Sequence, residues 1–322
     1  MKTLLLLLDV CTSTGLGHWY RCQALTAALP THLRVIWVTP AIPENLRADL
    51  LAMNQAWKEV PGWSMDQMHS ILADPSLQPD GFILDLIATP VALVRGLREI
   101  STVLSIGGAG PGRDEVDVRI DGMFPRPSFH ALFSGHELYL GPEFVILREV
   151  FASITPHKPP QSIKRVLITL GGDAQGKGLA LALECSPHLK DLRLDVVVGP
   201  LFQKNESGEE ANLRLHQAPE NILTLLMSAD VIVCAGGMTA YECCRLGLPM
   251  IIFPTTPLQR EAAGIMVDQG VALLAESAEA VCQALHDLRG RDIRLTFSNR
   301  GQSLVDGLGV HRVAALIATT FS

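Results

Sequence analysis

The sequence predicts an α/β protein built from two doubly wound, parallel-sheet domains. Three observations carry this reading. The chain has 322 residues, about twice the length of a typical domain. Short apolar runs of strand length alternate with segments whose apolar residues recur at helical spacing. The alternation lapses once, in a polar and proline-rich run, and then begins again.

In chain order, Leu4–Asp9, Leu33–Val38, Phe82–Asp85, Val103–Ile106 and Val116–Ile120 read as buried strands. Trp19–Leu29, Glu44–Met53, Asp66–Leu72 and Pro90–Glu99 read as the helices between them. Such a β-α-β series implies a parallel sheet with right-handed crossovers. The lapse falls at Ser153–Lys164, where Thr155-Pro156-His157-Lys158-Pro159-Pro160-Gln161 has the composition of a domain boundary. Strands then resume at Arg165–Leu170, Leu192–Val198, Val231–Ala235, Met250–Phe253 and Val271–Leu274. The helices of this half are Leu179–Cys185, Ile222–Met227, Thr239–Leu246, Glu261–Gln269 and Ala278–Leu288, and Val310–Thr320 closes the chain. The expected domains are 1–153 and 160–305. In open α/β sheets ligands bind at the carboxyl ends of the strands, so two such domains would face each other across a cleft that collects both sets of loops.

Composition narrows the function. The chain is 48% hydrophobic and 18% charged, with a mean hydropathy of +0.26, which suits strands buried on both faces and excludes a disordered chain. Lys and Arg number 26 against 33 Asp and Glu, a net charge of −7 without a basic stretch, which argues against a nucleic-acid partner. The longest uncharged stretch, Leu246–Gln259, holds three prolines and is too short to span a bilayer, so no stable membrane insertion is expected. Met1–Leu8 carries one Lys and five leucines and stops at Asp9, which reads as a first strand rather than a secretion signal. The cysteines number seven and form no Cys-x-x-Cys pair, so they read as free thiols in a reducing cytoplasm. The ten histidines show no pairing at ligand spacing, and no metal or other cofactor is expected. The oligomeric state is not legible.

Four segments carry the chemistry. Thr12-Ser13-Thr14-Gly15-Leu16-Gly17-His18-Trp19-Tyr20-Arg21-Cys22 follows the first strand and opens the first helix. Its glycines permit a tight turn and close approach of a ligand, but the third glycine of the dinucleotide fingerprint is replaced by Tyr20. His18 falls in the first helical turn, where the dipole opposes a positive charge and favours an imidazole that can accept a proton. A tight turn with an incidental histidine is the competing reading. Leu170-Gly171-Gly172-Asp173-Ala174-Gln175-Gly176-Lys177-Gly178 again joins a strand to a helix, and reads either as an anion cradle or as a turn. In Ala229–Glu242 a buried strand ends at Gly236-Gly237 and a helix begins at Thr239, whose first-turn N–H groups would bind phosphate. Glu242, one turn further on, could accept from two ribose hydroxyls; the alternative is a capping Thr239 with a favourably placed acid. Gln259, beyond Gly247 and Met250–Phe253, is in reach of sugar hydroxyls or is a solvated loop residue.

Together the segments resemble the GT-B nucleotide-sugar superfamily, and within it most closely the UDP-sugar hydrolases of pseudaminic acid biosynthesis. These act on UDP-2,4-diacetamido-2,4,6-trideoxy-β-L-altropyranose and are similar in turn to the N-acetylglucosaminyltransferase of peptidoglycan synthesis. The matching pieces are Gly15-Leu16-Gly17-His18-x-x-Arg21-Cys22, Ile83-Leu84-Asp85, Gly141-Pro142 with Leu147-Arg148 and Phe151, Gly171-Gly172-Asp173, Ala229–Glu242, Gln259, and Asp306-Gly307-x-Gly309-x-x-Arg312. The resemblance implies two Rossmann-like domains, with the last helix (about 306–322) returning to the first. It implies His18 as the base that activates water against the anomeric carbon. It places the UDP diphosphate at Gly236, Gly237, Met238 and Thr239 and the ribose at Glu242. Gly17, Arg21, Gly171, Gly172 and Gln259 complete the implied substrate contacts. Three departures stand out. The acidic pair usual after the fifth strand is Ile106-Gly107-Gly108-Ala109-Gly110 here, the common Gly-Gly-Ser/Thr-Asp is Gly171-Gly172-Asp173, and the usual Asp-x-Tyr is Asp85-Leu86-Ile87. The expected activity is hydrolysis of a UDP-amino sugar, with a UDP-sugar glycosyltransferase of the same fold as the alternative.

Overall fold

The computed structural model describes the whole chain except residues 11–16, 76, 125–132, 134, 172, 174, 200–201, 203–210 and 220, and the side chain of residue 45. It divides into two compact units. Unit 1 comprises the described residues of Met1–Cys11, Leu16–Glu149 and Gly307–Ser322, and unit 2 those of Val150–Asp306.

Unit 1 runs β1 (Lys2–Leu8), α1 (Gly17–Ala28), β2 (Leu33–Thr39), α2 (Glu44–Ala52), β3 (Ala56–Glu59), α3 (Met65–Leu72), β4 (Gly81–Asp85), α4 (Val91–Arg98), β5 (Val103–Ser105), β6 (Val118–Asp121) and β7 (Glu137–Leu140). Its sheet has the order β3-β2-β1-β4-β5-β6-β7, parallel throughout. The leucine run of β1 shows why it forms a central strand. Leu4, Leu6 and Leu8 enter one core cluster and Leu5 and Leu7 the opposite one, each with no exposed surface. A strand buried on both faces needs apolar residues at every position rather than at alternate ones.

Unit 2 runs α5 (Val150–Ser153), β8 (Arg165–Thr169), α6 (Lys177–Cys185), β9 (Arg193–Val198), β10 (Leu213–Gln217), α7 (Ile222–Ser228), β11 (Val231–Cys234), α8 (Met238–Leu246), β12 (Met250–Ile252), α9 (Pro257–Asp268), β13 (Ala272–Leu274), α10 (Ala278–Asp287) and α11 (Arg291–Leu304). Its sheet has the order β10-β9-β8-β11-β12-β13, again all parallel. α12 (Gly309–Thr320) packs in unit 1. Its Val310, Val313, Ala314 and Ile317 join the cluster of Leu4, Trp19 and Trp37. The fit around this helix is close: a Cβ on Gly309 would lie 2.2 Å from the Val145 carbonyl oxygen.

The proline-rich run near residue 155 is bound to unit 2. Buried Arg245 donates from Nη2 to the carbonyls of Ala152 and Ile154, at 3.1 and 2.9 Å. Arg294, with no exposed surface, donates to Pro160 and Gln161 at 2.9 and 3.0 Å. A chain segment without secondary structure leaves its carbonyls unpaired, and two buried guanidinium groups satisfy them here.

Besides the four-residue α5, four elements lie where the sequence pattern gave no signal. β3, β7 and β10 are all strands at a sheet edge, with sequences AWKE, ELYL and LRLHQ and no fully buried residue. The expectation of a continuous apolar run fails at these three edges, whereas the fourth edge strand, β13, is apolar and was expected. α11 is polar along most of its length and buries Arg294, Phe297, Ser298 and Gly301. It packs through smallness rather than apolar bulk: a Cβ on Gly301 would meet Cys244 Cα at 2.9 Å. Among the described residues, no helix is long and apolar enough to cross a membrane.

Candidate active site

In both sheets the strand order reverses between two neighbours, β1 and β4 in unit 1 and β8 and β11 in unit 2. At such a point the loops leaving the two strands diverge and open a crevice at their carboxyl ends. The candidate residues fall at these two points.

In unit 1, β4 ends at Asp85 and α1 begins at Gly17. His18, Arg21 and Cys22 are spaced i, i+3 and i+4, so they share one face of α1. All three meet the Asp85 carboxylate, which has no exposed surface. His18 Nδ1 lies 2.7 Å from Oδ1, Arg21 Nε donates to Oδ2 at 2.6 Å, Arg21 Nη2 also donates to Oδ1, and the Cys22 thiol donates to Oδ2 at 3.3 Å. Burial alone would push the Asp85 carboxyl up, but Arg21 and His18 hold it well below the usual carboxylate range. Burial likewise works against the Arg21 charge, and Asp85 outweighs it and raises the guanidinium further. The Cys22 thiol is driven far above its ordinary value by burial and by Asp85, so it is a donor here and not a nucleophile.

An ionised carboxylate only accepts, so His18 carries a proton on Nδ1, and in its neutral form the lone pair is on Nε2. Arg21 Nη2 also approaches Nδ1, to 3.1 Å, and the shared carboxylate oxygen serves both donors. His18 keeps 28% of its side-chain surface exposed over a fully buried Asp85. A histidine whose second nitrogen is fixed by a buried carboxylate is the arrangement of a general base: the carboxylate sets the tautomer and compensates the charge that develops on proton transfer. Asp85 stands in the motif of the sequence reading but was given no role there, because nothing in Ile83-Leu84-Asp85 says which helix its side chain meets.

The glycines that replace the acidic pair have a packing reason. Gly107, Gly108 and Gly110 all have positive φ, and a Cβ on Gly108 would lie 2.1 Å from the Leu86 carbonyl oxygen. The loop pairs with the one after β4 through Thr89 N to Ala109 O, at 2.7 Å, and lays Gly107 against the Arg21 guanidinium.

In unit 2, the loop after β8 holds Gly171, with φ +80°; Gly172 lies outside the described residues. The helix that follows has its own anion. Asp173, 8% exposed, accepts from Lys177 N at 2.9 Å and Gly178 N at 2.7 Å. Those two donors are filled by a carboxylate, and the loop behaves as a capped turn. The loop after β11 differs. Gly236 has φ +81°, Gly237 is the N-cap of α8, and among the described residues no side chain is bonded to the first N–H groups of this helix. Thr239 is the second residue of the helix and not its cap. Gly237 has ordinary extended backbone, and a Cβ there would have nothing within 4 Å. Neither conformation nor packing inside the chain accounts for a glycine at this position. Glu242 follows one turn along α8 and is half-buried. Gln259 lies inside the first turn of α9, which begins at Pro257, rather than in the loop before it. Its Oε1 accepts from the N and Oγ1 of Thr255, both at 2.8 Å, which leaves the amide donors of this side chain to reach outward.

No protein-family model matches the chain. It is 22% identical over 323 aligned positions to the spore coat polysaccharide biosynthesis protein SpsG of Bacillus subtilis (strain 168), covering 94% of each chain. Among solved structures it is similar to the glycotransferase of kitacinnamycin, with 18% identity, a TM-score of 0.69, and 100% and 99% of the two chains covered. The spinosyn rhamnosyltransferase SpnG complexed with thymidine diphosphate aligns over 100% of both chains at 18% identity and a TM-score of 0.65. A Staphylococcus aureus MnaA structure with UDP aligns over 98% of this chain and 96% of that one, at 13% identity and a TM-score of 0.66. The fold is that of the GT-B glycosyltransferases, two parallel-sheet α/β domains.

Proposed function

We propose that the chain is a UDP-sugar-dependent enzyme in which unit 1 supplies the base and unit 2 the diphosphate site. The observation that carries this is the His18–Asp85 pair at the strand-order reversal of unit 1. His18 Nε2 takes a proton from an oxygen nucleophile. That oxygen bonds to the anomeric carbon as the bond from this carbon to the diphosphate oxygen breaks, and UDP leaves with the electron pair. The open start of α8, formed by Gly236, Gly237, Met238 and Thr239, receives its negative charge.

The carboxylates of the unit 1 edge support a nucleotide leaving group. Asp85 accepts from His18, Arg21 and Cys22, and Asp9 accepts from Trp63 Nε1 at 2.6 Å and Ile87 N at 2.7 Å. Hydrolysis of an ordinary glycoside needs a carboxylic acid to protonate the departing oxygen. Both of these carboxylates are acceptors already in use. A diphosphate departs as a stable anion and needs no acid.

Two nucleophiles fit the geometry. The solved structures favour a hydroxyl acceptor, since those described as transferases match the chain end to end. Water is favoured by the motif order from Gly15 to Arg312, which resembles that of the pseudaminic pathway hydrolases. In either case the product feeds glycan assembly, as in the spore coat polysaccharide role named for the Bacillus relative. Release of UDP from UDP-sugars and of TDP from TDP-sugars, with and without hydroxyl acceptors, tests the reading. Release without acceptor assigns the hydrolase and acceptor-dependent release the transferase. No release from any nucleotide sugar overturns both.

A further inference from the structure

Trp63 occupies an unusual place at the carboxyl edge of unit 1. It lies between β3 and α3, just before the Ser64 N-cap, and a reciprocal Ser64–Gln67 capping box fixes the backbone there. β3 is at the sheet edge, yet the Trp63 indole reaches past the end of β2 and donates from Nε1 to Asp9 Oδ1, at 2.6 Å. Asp9 directly follows β1. Its other oxygen accepts from Ile87 N at 2.7 Å, and its own N–H points at the Asp85 carbonyl at 3.4 Å. One carboxylate thus ties the indole to the loop two residues beyond Asp85, the residue that holds His18. The ring packs on the core cluster of Leu5, Leu7 and Leu84 on one side and stays half-buried. Ile87, whose N–H is held by the same carboxylate, is 41% exposed.

We infer that Trp63 is the residue against which the glycosyl group of the nucleotide sugar lies, with Ile87 as the adjoining wall and Asp9 as the positioning residue. The inference rests on the proposed UDP-sugar reading. A pyranose presents C–H groups on its faces, and these pack on the flat surface of an indole. The polar edge of the ring is already engaged by Asp9, so the surface it offers is the apolar one. A diphosphate would not settle there, because Asp9 adds a negative charge at the ring edge. The part of the substrate that this wall would meet is the sugar whose anomeric carbon is attacked, because the carboxylate that holds the indole also holds the loop two residues beyond Asp85.

The test uses the full chain with Trp63→Ala, Trp63→Phe and Asp9→Ala, and as probes UDP and whichever UDP-sugar the wild type turns over best. Trp63→Ala should raise KM about tenfold, the scale of one lost aromatic contact. Trp63→Phe should recover most of it. UDP affinity should stay within about twofold of wild type in every variant. Asp9→Ala should follow Trp63→Ala in KM. A role in stability alone would lower Tm and leave KM unmoved, and that outcome overturns the inference. Should Trp63→Ala not fold, the wild type and Trp63→Phe suffice: the UDP-sugar should change tryptophan emission in the first and not in the second, with UDP silent in both, and equal responses overturn the inference. Normal turnover with an unchanged KM removes Trp63 and leaves the functional reading standing, whereas a wild type that releases UDP from no sugar removes both.

Discussion

His18 Nδ1 and Asp85 Oδ1 stand 2.7 Å apart, the histidine partly exposed and the carboxylate wholly buried. The pair fixes the imidazole tautomer, and Arg21 and Cys22 keep the carboxylate charged and in place. Asp85→Asn puts an amide where only an acceptor stood. Its NH2 can donate to Nδ1, which moves the histidine proton to Nε2 and removes the base. Turnover should fall about 10²–10⁴-fold, the range for loss of general base catalysis, with UDP affinity unchanged. Steady-state kinetics beside calorimetry checks this, and near-normal kcat in the folded variant would dissociate Asp85 from the chemistry.

His18→Ala separates chemistry from packing. The side chain is partly exposed and Asp85 keeps its bonds to Arg21 and Cys22 without it, so the expected change in Tm is small, while kcat should drop about 10²–10⁴-fold with little change in UDP binding. If His18 merely shapes the turn, the variant will melt early and still turn over. Measuring both on one preparation decides.

The central strands and most helices of both units were legible because their signals are local. A strand such as β1 must be apolar at every residue, and α8 ends at Gly247, whose φ of +69° glycine adopts freely. The edge strands β3 and β10 were not legible, because Lys58, Glu59, Arg214 and His216 are compatible with water on one side and carry no burial pattern. The candidate base was visible in Gly17-His18, but its partner was not. Asp85 is 67 residues away, and only the pairing of β1 with β4 brings it to α1. The four glycines after β8 suggested an anion cradle, and Asp173 fills that helix start from within the same loop.

The Asp85 carboxyl titrates below its unfolded value, so the folded state binds its proton less readily than the unfolded chain does. Its contribution is fully present above about pH 4, the ordinary aspartate value, and is lost as pH falls below that through the lowered folded value. Removing one partner of a buried pair typically costs about 3–5 kcal/mol. Arg21→Ala should therefore destabilise the chain at neutral pH and flatten the loss of stability between about pH 4 and pH 2. Denaturant melts of both proteins across that range measure the difference, and parallel curves would show that the pair does not govern acid stability.

Glu242 lies one turn inside α8, beyond the open helix start. If it holds the ribose of UDP, Glu242→Ala should weaken UDP binding by about 1–3 kcal/mol, the worth of hydrogen bonds to a charged group. Glu242→Gln should keep part of that affinity, since its carbonyl still accepts. Titration calorimetry with UDP and with uridine reads the ribose contribution, and an unchanged affinity in Glu242→Ala removes the residue from the site.

Gly236 and Gly237 are adjacent glycines with different reasons for being glycine. Gly236 has φ +81°, and a Cβ there would press on Ile252 Cγ2 at 3.0 Å. Gly236→Ala should therefore cost about 1–2 kcal/mol of stability from backbone strain, before any ligand is considered. Gly237 is extended, with φ −87°, and its added Cβ would touch nothing. Gly237→Ala should leave stability within about 0.5 kcal/mol of wild type, as substitutions at open positions do. The space above Gly237 matters only to a molecule that approaches the first-turn N–H groups of α8. A methyl group there holds a diphosphate off the donors, so UDP affinity should fall while the melting curve stays in place. Loss of affinity without loss of stability locates the nucleotide at this helix start; a Gly237→Ala variant that binds UDP and TDP as well as wild type would place it elsewhere on the chain.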